Sequence, residues 1–202
     1  VGGESKIVKL WEVAQGDEIQ KPPFQFRTST ITHSVAINAG GTALAVGTSE
    51  HTEIYRLVRQ EGAKGPLEKE QVSFFCEPLQ VLECPATQGG VAFSKLSQLA
   101  IGGNQKVFVF DVQTGGMLVQ IERDERVRCV AISGDGESLL LGGFDKTCCM
   151  LQINRGCNFY DLSGGSDGHV CKSVHLSADS KLLVSRAASG SKHHARQHAR
   201  DP

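Results

Sequence analysis

The stretch Val91–Gly143, VAFSKLSQLAIGGNQKVFVFDVQTGGMLVQIERDERVRCVAISGDGESLLLGG, decides the fold. It holds short apolar runs at Gln98–Ile101, Val107–Val112, Met117–Ile121, Val127–Ile132 and Ser138–Leu141, separated by Gly, Asp, Ser and Asn. Runs of strand length at intervals of roughly ten residues predict an all-β chain of hairpins. The stretch also repeats itself. Val91-Ala92-Phe93-Ser94 leads to Leu99 and then Gly102-Gly103; Val130-Ala131-Ile132-Ser133 leads to Leu139 and then Gly142-Gly143.

The same unit occurs on either side. Val35-Ala36-Ile37 precedes Leu44-Ala45-Val46-Gly47, and Val170–Leu176 precedes Leu182–Ser185. Aligned, Val35, Val91, Val130 and Val174 begin the units, with steps of 56, 39 and 44 residues. A period of about 40–45 residues with about four strands per unit is the signature of β-propeller blades. One four-stranded sheet cannot bury both faces alone, so blades stack and cover one another. Inner strands then need apolar residues on both sides, as in Leu139-Leu140-Leu141 and Val107-Phe108-Val109-Phe110. The glycines after them are expected to serve tight turns at crowded blade ends.

The segments between the units are read from their composition. Ser5–Val13 is a predicted strand, and Lys21–Ser29, with Pro22-Pro23, is expected to be a connection. Arg59–Gln71 is charged, carries Gly62, Gly65 and Pro66, and is expected to be an exposed insertion after the strand Thr52–Leu57. Strand character returns at Val72–Phe75 and again at Cys148–Ile153, while Gly164–Gly168 is a turn-rich loop. The tail from Arg186 onward is basic, rich in His and without apolar periodicity, and is expected to be disordered. The expected organisation is a half blade at 1–20, blades at 30–76, 90–122 and 126–162, a half blade at 169–185 and the tail at 186–202. Pairing of Ser5–Val13 with Val170–Ser185 would close a four-blade ring. The start at Val1 favours a segment of a longer propeller, whose remaining blades would then be partners.

Composition narrows the function. Net charge is −1 from 21 basic and 22 acidic residues, which argues against a whole-surface affinity for nucleic acid or an anionic membrane. No apolar run is long enough to span a bilayer. The seven cysteines, an odd number with no Cys-x-x-Cys pair, predict buried free thiols in a reducing compartment rather than a zinc site. An intracellular location in the cytoplasm is expected, with the nucleus left open.

These residues resemble the WD-repeat (Trp-Asp repeat) β-propeller family over Ser5 to about Ser185. The Trp-Asp position is filled by Trp11-Glu12, Tyr55-Arg56, Phe110-Asp111 and Leu151-Gln152. Gly168-His169 is similar to the family's Gly-His opening, and Ser133-Gly134-Asp135-Gly136 and Ser177-Ala178-Asp179 to its strand-joining turn. The resemblance implies structural roles for Trp11, Tyr55, Phe110, Asp145 and His169. In the family the Asp, the His and a strand hydroxyl bond within one blade. No unit here keeps the set: Glu125 stands where Asp145 would look for His, and the unit of His169 lacks its Asp.

No catalytic, cofactor or metal residues are assigned. Gly164-Gly165-Ser166-Asp167-Gly168 has the spacing of a serine nucleophile elbow, but it leads into a strand rather than a helix. His194 and His198 would share a face only in a helix. The charged connection Ile121–Arg128 lies between two blades, on the narrow face where the resemblance implies that partners dock. It makes Arg123, Asp124 and Arg126 the candidate partner-binding residues. The expected function is a non-catalytic scaffold that binds proteins or peptides. The alternatives are a regulatory or targeting segment of a larger signalling protein and, third, a propeller enzyme.

Overall fold

The computed structural model describes residues 5–11, 24–61, 72–86, 90–153, 158–162, 170–177, 179–187 and 194–197. They form sixteen strands in four antiparallel sheets, and none of them is in an α-helix. The first sheet holds β1 (Ser5–Leu10), β2 (Phe24–Ile37), β3 (Ala43–Thr48), β4 (Thr52–Glu61) and β5 (Val72–Leu82), neighbours in that order. The second holds β6 (Val91–Phe93), β7 (Gln98–Gly102), β8 (Lys106–Asp111) and β9 (Met117–Glu122). The third holds β10 (Val127–Ile132), β11 (Ser138–Gly143), β12 (Cys148–Gln152) and β13 (Asn158–Asp161). The fourth holds β14 (Cys171–Leu176), β15 (Leu182–Ala187) and β16 (His194–Gln197). The expected all-β class is what the chain adopts, in antiparallel sheets of five, four, four and three described strands.

The sheets stack face to face in chain order, because side chains alternate across each strand and both faces are apolar. In the third sheet Leu139 and Leu141 join Val107, Val109 and Ile121 of the second. Leu140, between them, joins Cys171, Val174 and Leu183 of the fourth. All three leucines are at most 2% exposed, as the unbroken apolar run requires. The second sheet divides likewise: Val107 and Val109 face the third sheet, while Phe110 packs with Ala45 and Ile54 of the first.

Each unit opens with the same turn chemistry. Asn38 Oδ1 accepts the N–H groups of Thr42 and Ala43 at 2.8 and 2.9 Å. Ser94 Oγ accepts that of Gln98 at 3.1 Å, Ser133 Oγ that of Ser138 at 2.9 Å, and Ser177 Oγ that of Leu182 at 2.9 Å. In the last two units Asp135 and Asp179 in turn accept from the serine hydroxyl. A short side chain with an acceptor thus closes every β-turn between a unit's first two strands.

The glycine near the end of the second strand in the first three units, Gly47, Gly102 and Gly142, has a reason other than a turn. A Cβ on Gly142 would sit 2.5 Å from Cys171 Sγ and 2.7 Å from Cys129 Sγ, and one on Gly102 would sit 2.8 Å from Val130 Cγ1. Gly47 meets Ala86 in the same way. The next sheet approaches too closely for any side chain there.

Several expected boundaries move. Strand β2 begins at Phe24, so only residues before it remain for the connection expected at Lys21–Ser29; Pro22-Pro23 lie outside the described residues. β2 is 14 residues long and serves two partners. Its first half pairs with β1, its second half pairs with β3, and Thr32 is opposite both Ser5 and Thr48. Val8, Leu10 and Phe26 pack with Leu44, Val46 and Leu57, on the opposite side of β3 from Ala45. The β1–β2 pair therefore lies over the outer face of the first sheet and shares a strand with it. The strand Thr52–Leu57 extends through Arg59 to Glu61, leaving residues 62–71 of the expected insertion outside the described residues. β5 runs to Leu82 and accommodates Pro78 where the register shifts opposite Tyr55. The tail is not without structure: β16 pairs with β15, in a strand rather than the helix that would align His194 with His198. Among the described residues β1 pairs with β2, β15 pairs with β14 and β16, and no strand pairing joins the first sheet to the fourth.

Leu140→Ala removes a side chain enclosed by two sheets and is expected to cost about 2–5 kcal/mol. Urea unfolding of the variant against the parent measures it. A loss no larger than that of Leu118→Ala, a half-exposed leucine on β9, would contradict the two-sided burial.

Candidate docking face

One end of the stack is built by three kinds of connection. They are the turns between second and third strands, the connections between sheets, and irregularities near the start of the first strands. The β2–β3, β10–β11 and β14–β15 pairings shift register between Thr32 and Ser34, Val127 and Cys129, and Cys171 and Ser173. The register shifts fall at His33, Arg128 and Lys172, each of them basic. A bulge of this kind bends the strand and re-aims the extra side chain.

His33 and Arg128 both line a cavity of about 470 Å³ that opens between the first three sheets. Ser49 reaches it from the β3–β4 turn, Asn104 from the β7–β8 turn and Phe144 from the β11–β12 turn. Pro85 and Ala86 come from the connection into the second sheet and Arg126 from the connection into the third. The Arg128 guanidinium lies over the Phe144 ring, 5.4 Å from its centroid, a cation–π contact that holds it at the rim. The Phe144 N–H donates to the Arg126 carbonyl at 3.0 Å, so the two rim segments are joined. Two arginines and a histidine thus line a space whose described lining carries no carboxylate.

The three residues expected to bind a partner are not equivalent. Arg126 is exposed at the cavity. Asp124 is exposed on the same connection, and its carbonyl accepts from Gln105 Nε2 at 2.9 Å. Arg123 is turned into the protein. Its Nη2 donates to Asp145 Oδ2 at 2.9 Å and to Thr147 Oγ1 at 3.4 Å, while Asp145 Oδ1 accepts the Thr147 N–H at 3.0 Å. An arginine from the preceding connection thus meets Asp145 where a histidine was looked for, and its guanidinium is engaged in an ion pair within the protein.

The first sheet builds a different polar set. Glu53 is 8% exposed; Ser29 Oγ donates to its Oε1 at 3.1 Å, Tyr55 donates to its Oε2 at 2.5 Å, and His51 Nε2 is 2.8 Å from Oε1. Burial by itself would raise the Glu53 pKa, but the hydrogen bonds from Tyr55, His51 and Ser29 outweigh it and hold the carboxyl below its ordinary value. Burial first, then the Glu53 carboxylate, pushes the Tyr55 phenol up. The Tyr55 ring also packs against Phe26 in a tilted arrangement, 4.7 Å between centroids, and so pins the hairpin to the sheet. Phe110 is buried between the first two sheets, whereas Trp11 lies just past β1 and is 41% exposed. His169 lies outside the described residues, as do Ser166 and Cys157.

His33, Arg128, Asn104 and Phe144 are not singled out by motif reasoning. A signal for two of them existed in the alignment of units: two residues before the aligned Val stands His33, Arg128 or Lys172 in three units of four. Among the described residues no group of three His, Cys, Asp or Glu side chains is placed to hold a metal ion, and no helix is long and apolar enough to cross a membrane. No family model matches this chain, and no curated protein matches it either. The geometry of the face therefore stands on its own.

Because Glu53 has a lowered pKa, its stabilising contribution is complete above the unfolded carboxyl value of about 4.3 and is lost as pH falls through the lower native value. Tyr55→Phe deletes one donor to this carboxylate and is expected to cost about 1–3 kcal/mol at neutral pH. The difference between parent and variant should shrink below about pH 4. Denaturant unfolding across pH measures it, and a difference that does not change with pH would contradict the role given to Glu53.

Proposed function

We propose that this chain is a non-catalytic protein-interaction module of the WD-repeat type, which receives an acidic segment of a partner protein at the cavity between its first three sheets. The observation that carries this reading is the convergence of Arg126, Arg128 and His33 on one opening with no carboxylate in its described lining. On a chain of net charge −1 such a local excess of positive charge is a property of the site rather than of the surface at large. Arginine favours the reading further, since its planar fork pairs with carboxylates in two parallel hydrogen bonds. Phe144, Pro85 and Ala86 add apolar wall against which the stem of a bound side chain could pack. The WD-repeat attribution rests on the unit length, the strand-joining turns and the aromatic residues at the Trp-Asp position.

The test uses a fluorescein-labelled peptide rich in Asp and Glu and a matched Lys-rich peptide, titrated with the full chain and followed by anisotropy. The acidic peptide is expected to bind and to weaken as salt is raised. Arg126→Glu should reduce its affinity at least about tenfold. Arg123→Gln, which alters an internal ion pair, should leave it unchanged. Equal binding of the two peptides, or an affinity insensitive to Arg126→Glu, would overturn the proposal.

A further inference from the structure

Three thiols converge where the third and fourth sheets meet. Cys129 on β10, Cys148 on β12 and Cys171 on β14 are each at most 3% exposed and belong to one packed cluster. Cys129 and Cys171 lie next to the register shifts of their strands, and their sulfur atoms are 3.9 Å apart. Gly142 faces the pair, and any side chain there would collide with both sulfurs. The sulfurs are thus nearly in contact across a sheet-to-sheet boundary, in a space kept clear by a glycine, and 42 residues apart in sequence. We propose that Cys129 and Cys171 are an oxidisable pair, which a hydroperoxide converts to a disulfide stapling the fourth sheet to the third.

The cluster also supplies a nucleophile. Hydrogen bonds from the thiols of Cys129, first, and of Cys148 favour the thiolate on Cys171 and lower its pKa, while those of Cys129 and Cys148 are raised. The Cys171 thiolate attacks one peroxide oxygen and the O–O bond breaks. The other oxygen leaves with a proton as water or an alcohol, and Cys171 becomes a sulfenic acid. Cys129 sulfur then displaces hydroxide from Cys171. The Cys129 proton joins that hydroxide as water, and the S–S bond forms. Two electrons leave the two sulfurs and reduce one peroxide bond.

Access comes from the end position of the fourth sheet. It holds three described strands, and Leu182 and Val184 of β15 are 49% and 40% exposed, so no described sheet covers that side. Local opening of such an end element is the low-energy route to its buried face. Once the bond forms, the same opening is closed off.

The full chain is treated with hydrogen peroxide, remaining thiols are alkylated in denaturant, and the non-reduced peptides are mapped by mass spectrometry. The expected product is a single peptide pair joined through Cys129 and Cys171, reversed by a dithiol reductant. The oxidised chain should unfold at higher urea, with its folded-to-unfolded ratio raised roughly 30- to 800-fold, as is typical for a closed loop. Cys148→Ser should leave the bond intact but slow its formation. Cys171→Ser should abolish it; should that variant not fold, the map of the parent chain decides by itself. A bond from Cys171 to Cys148 or Cys149 instead, or thiols at 129 and 171 still reduced after Cys76 is fully oxidised, would overturn the proposal.

Discussion

Every sheet in this protein has two faces to remove from water, and neither local hydrogen bonding nor a single neighbour can do both. The solution is visible at Leu139-Leu140-Leu141, where adjacent residues belong to different cores because a strand turns successive side chains to opposite sides. Each such leucine gains about 1.5–3 kcal/mol from leaving water. The gain exists only while a sheet stands on either side. Stability is therefore a sum over neighbours, and the ends of the stack are where it runs short. At the first sheet the deficit is met by the β1–β2 hairpin, which places Val8 and Phe26 on an otherwise open face. At the last sheet β15 leaves Leu182 and Val184 half-exposed.

The same demand explains which parts of the architecture were legible from the residues. The period, the Val and Leu register and the strand-joining turns all follow from two-sided burial, so they mark the sequence strongly. The first half of β2 was not legible, because Pro22-Pro23 precede it and Phe24, Phe26 and Thr28 alternate with polar residues over a run too short to outweigh them. β16 was illegible for a simpler reason: His194–Gln197 contains no apolar residue larger than Ala, and the strand exists through backbone pairing with β15. The glycines were legible as constraints, but their cause was not. Nothing local to Gly142 announces that two sulfur atoms from other strands occupy the space its side chain would need.

The polar sets within the sheets show one physical task met by different residues. A carboxylate near a sheet's end must be hydrogen-bonded if it is to be withdrawn from water. Asp145 meets the requirement with Arg123 and the Thr147 amide, and Glu53 meets it with Ser29, His51 and Tyr55. The two solutions share neither residues nor spacing. A search for one fixed set finds neither, and a run of alternating charges such as Ile121–Arg128 does not reveal which of its arginines has turned inward. That distinction separates Arg123 from Arg126 at the face described above.

Which side chains remain at the opening follows from what the packing leaves over. Side chains of the innermost strands are committed on both faces, so the residues at the opening come from turns, connections and bulges. These meet at one end of the stack because antiparallel strands of similar length return there after every second strand. The bulges then act on that end in register. They displace His33 and Arg128 from the sheet pattern at equivalent points of two units, and the connection into the third sheet brings Arg126 beside them. A repeat that fixes backbone geometry while leaving the bulge residue free to vary can change the chemistry of its opening without disturbing its core. The basic character of this opening is such a choice, made at positions on which the stacking of the sheets makes no demand.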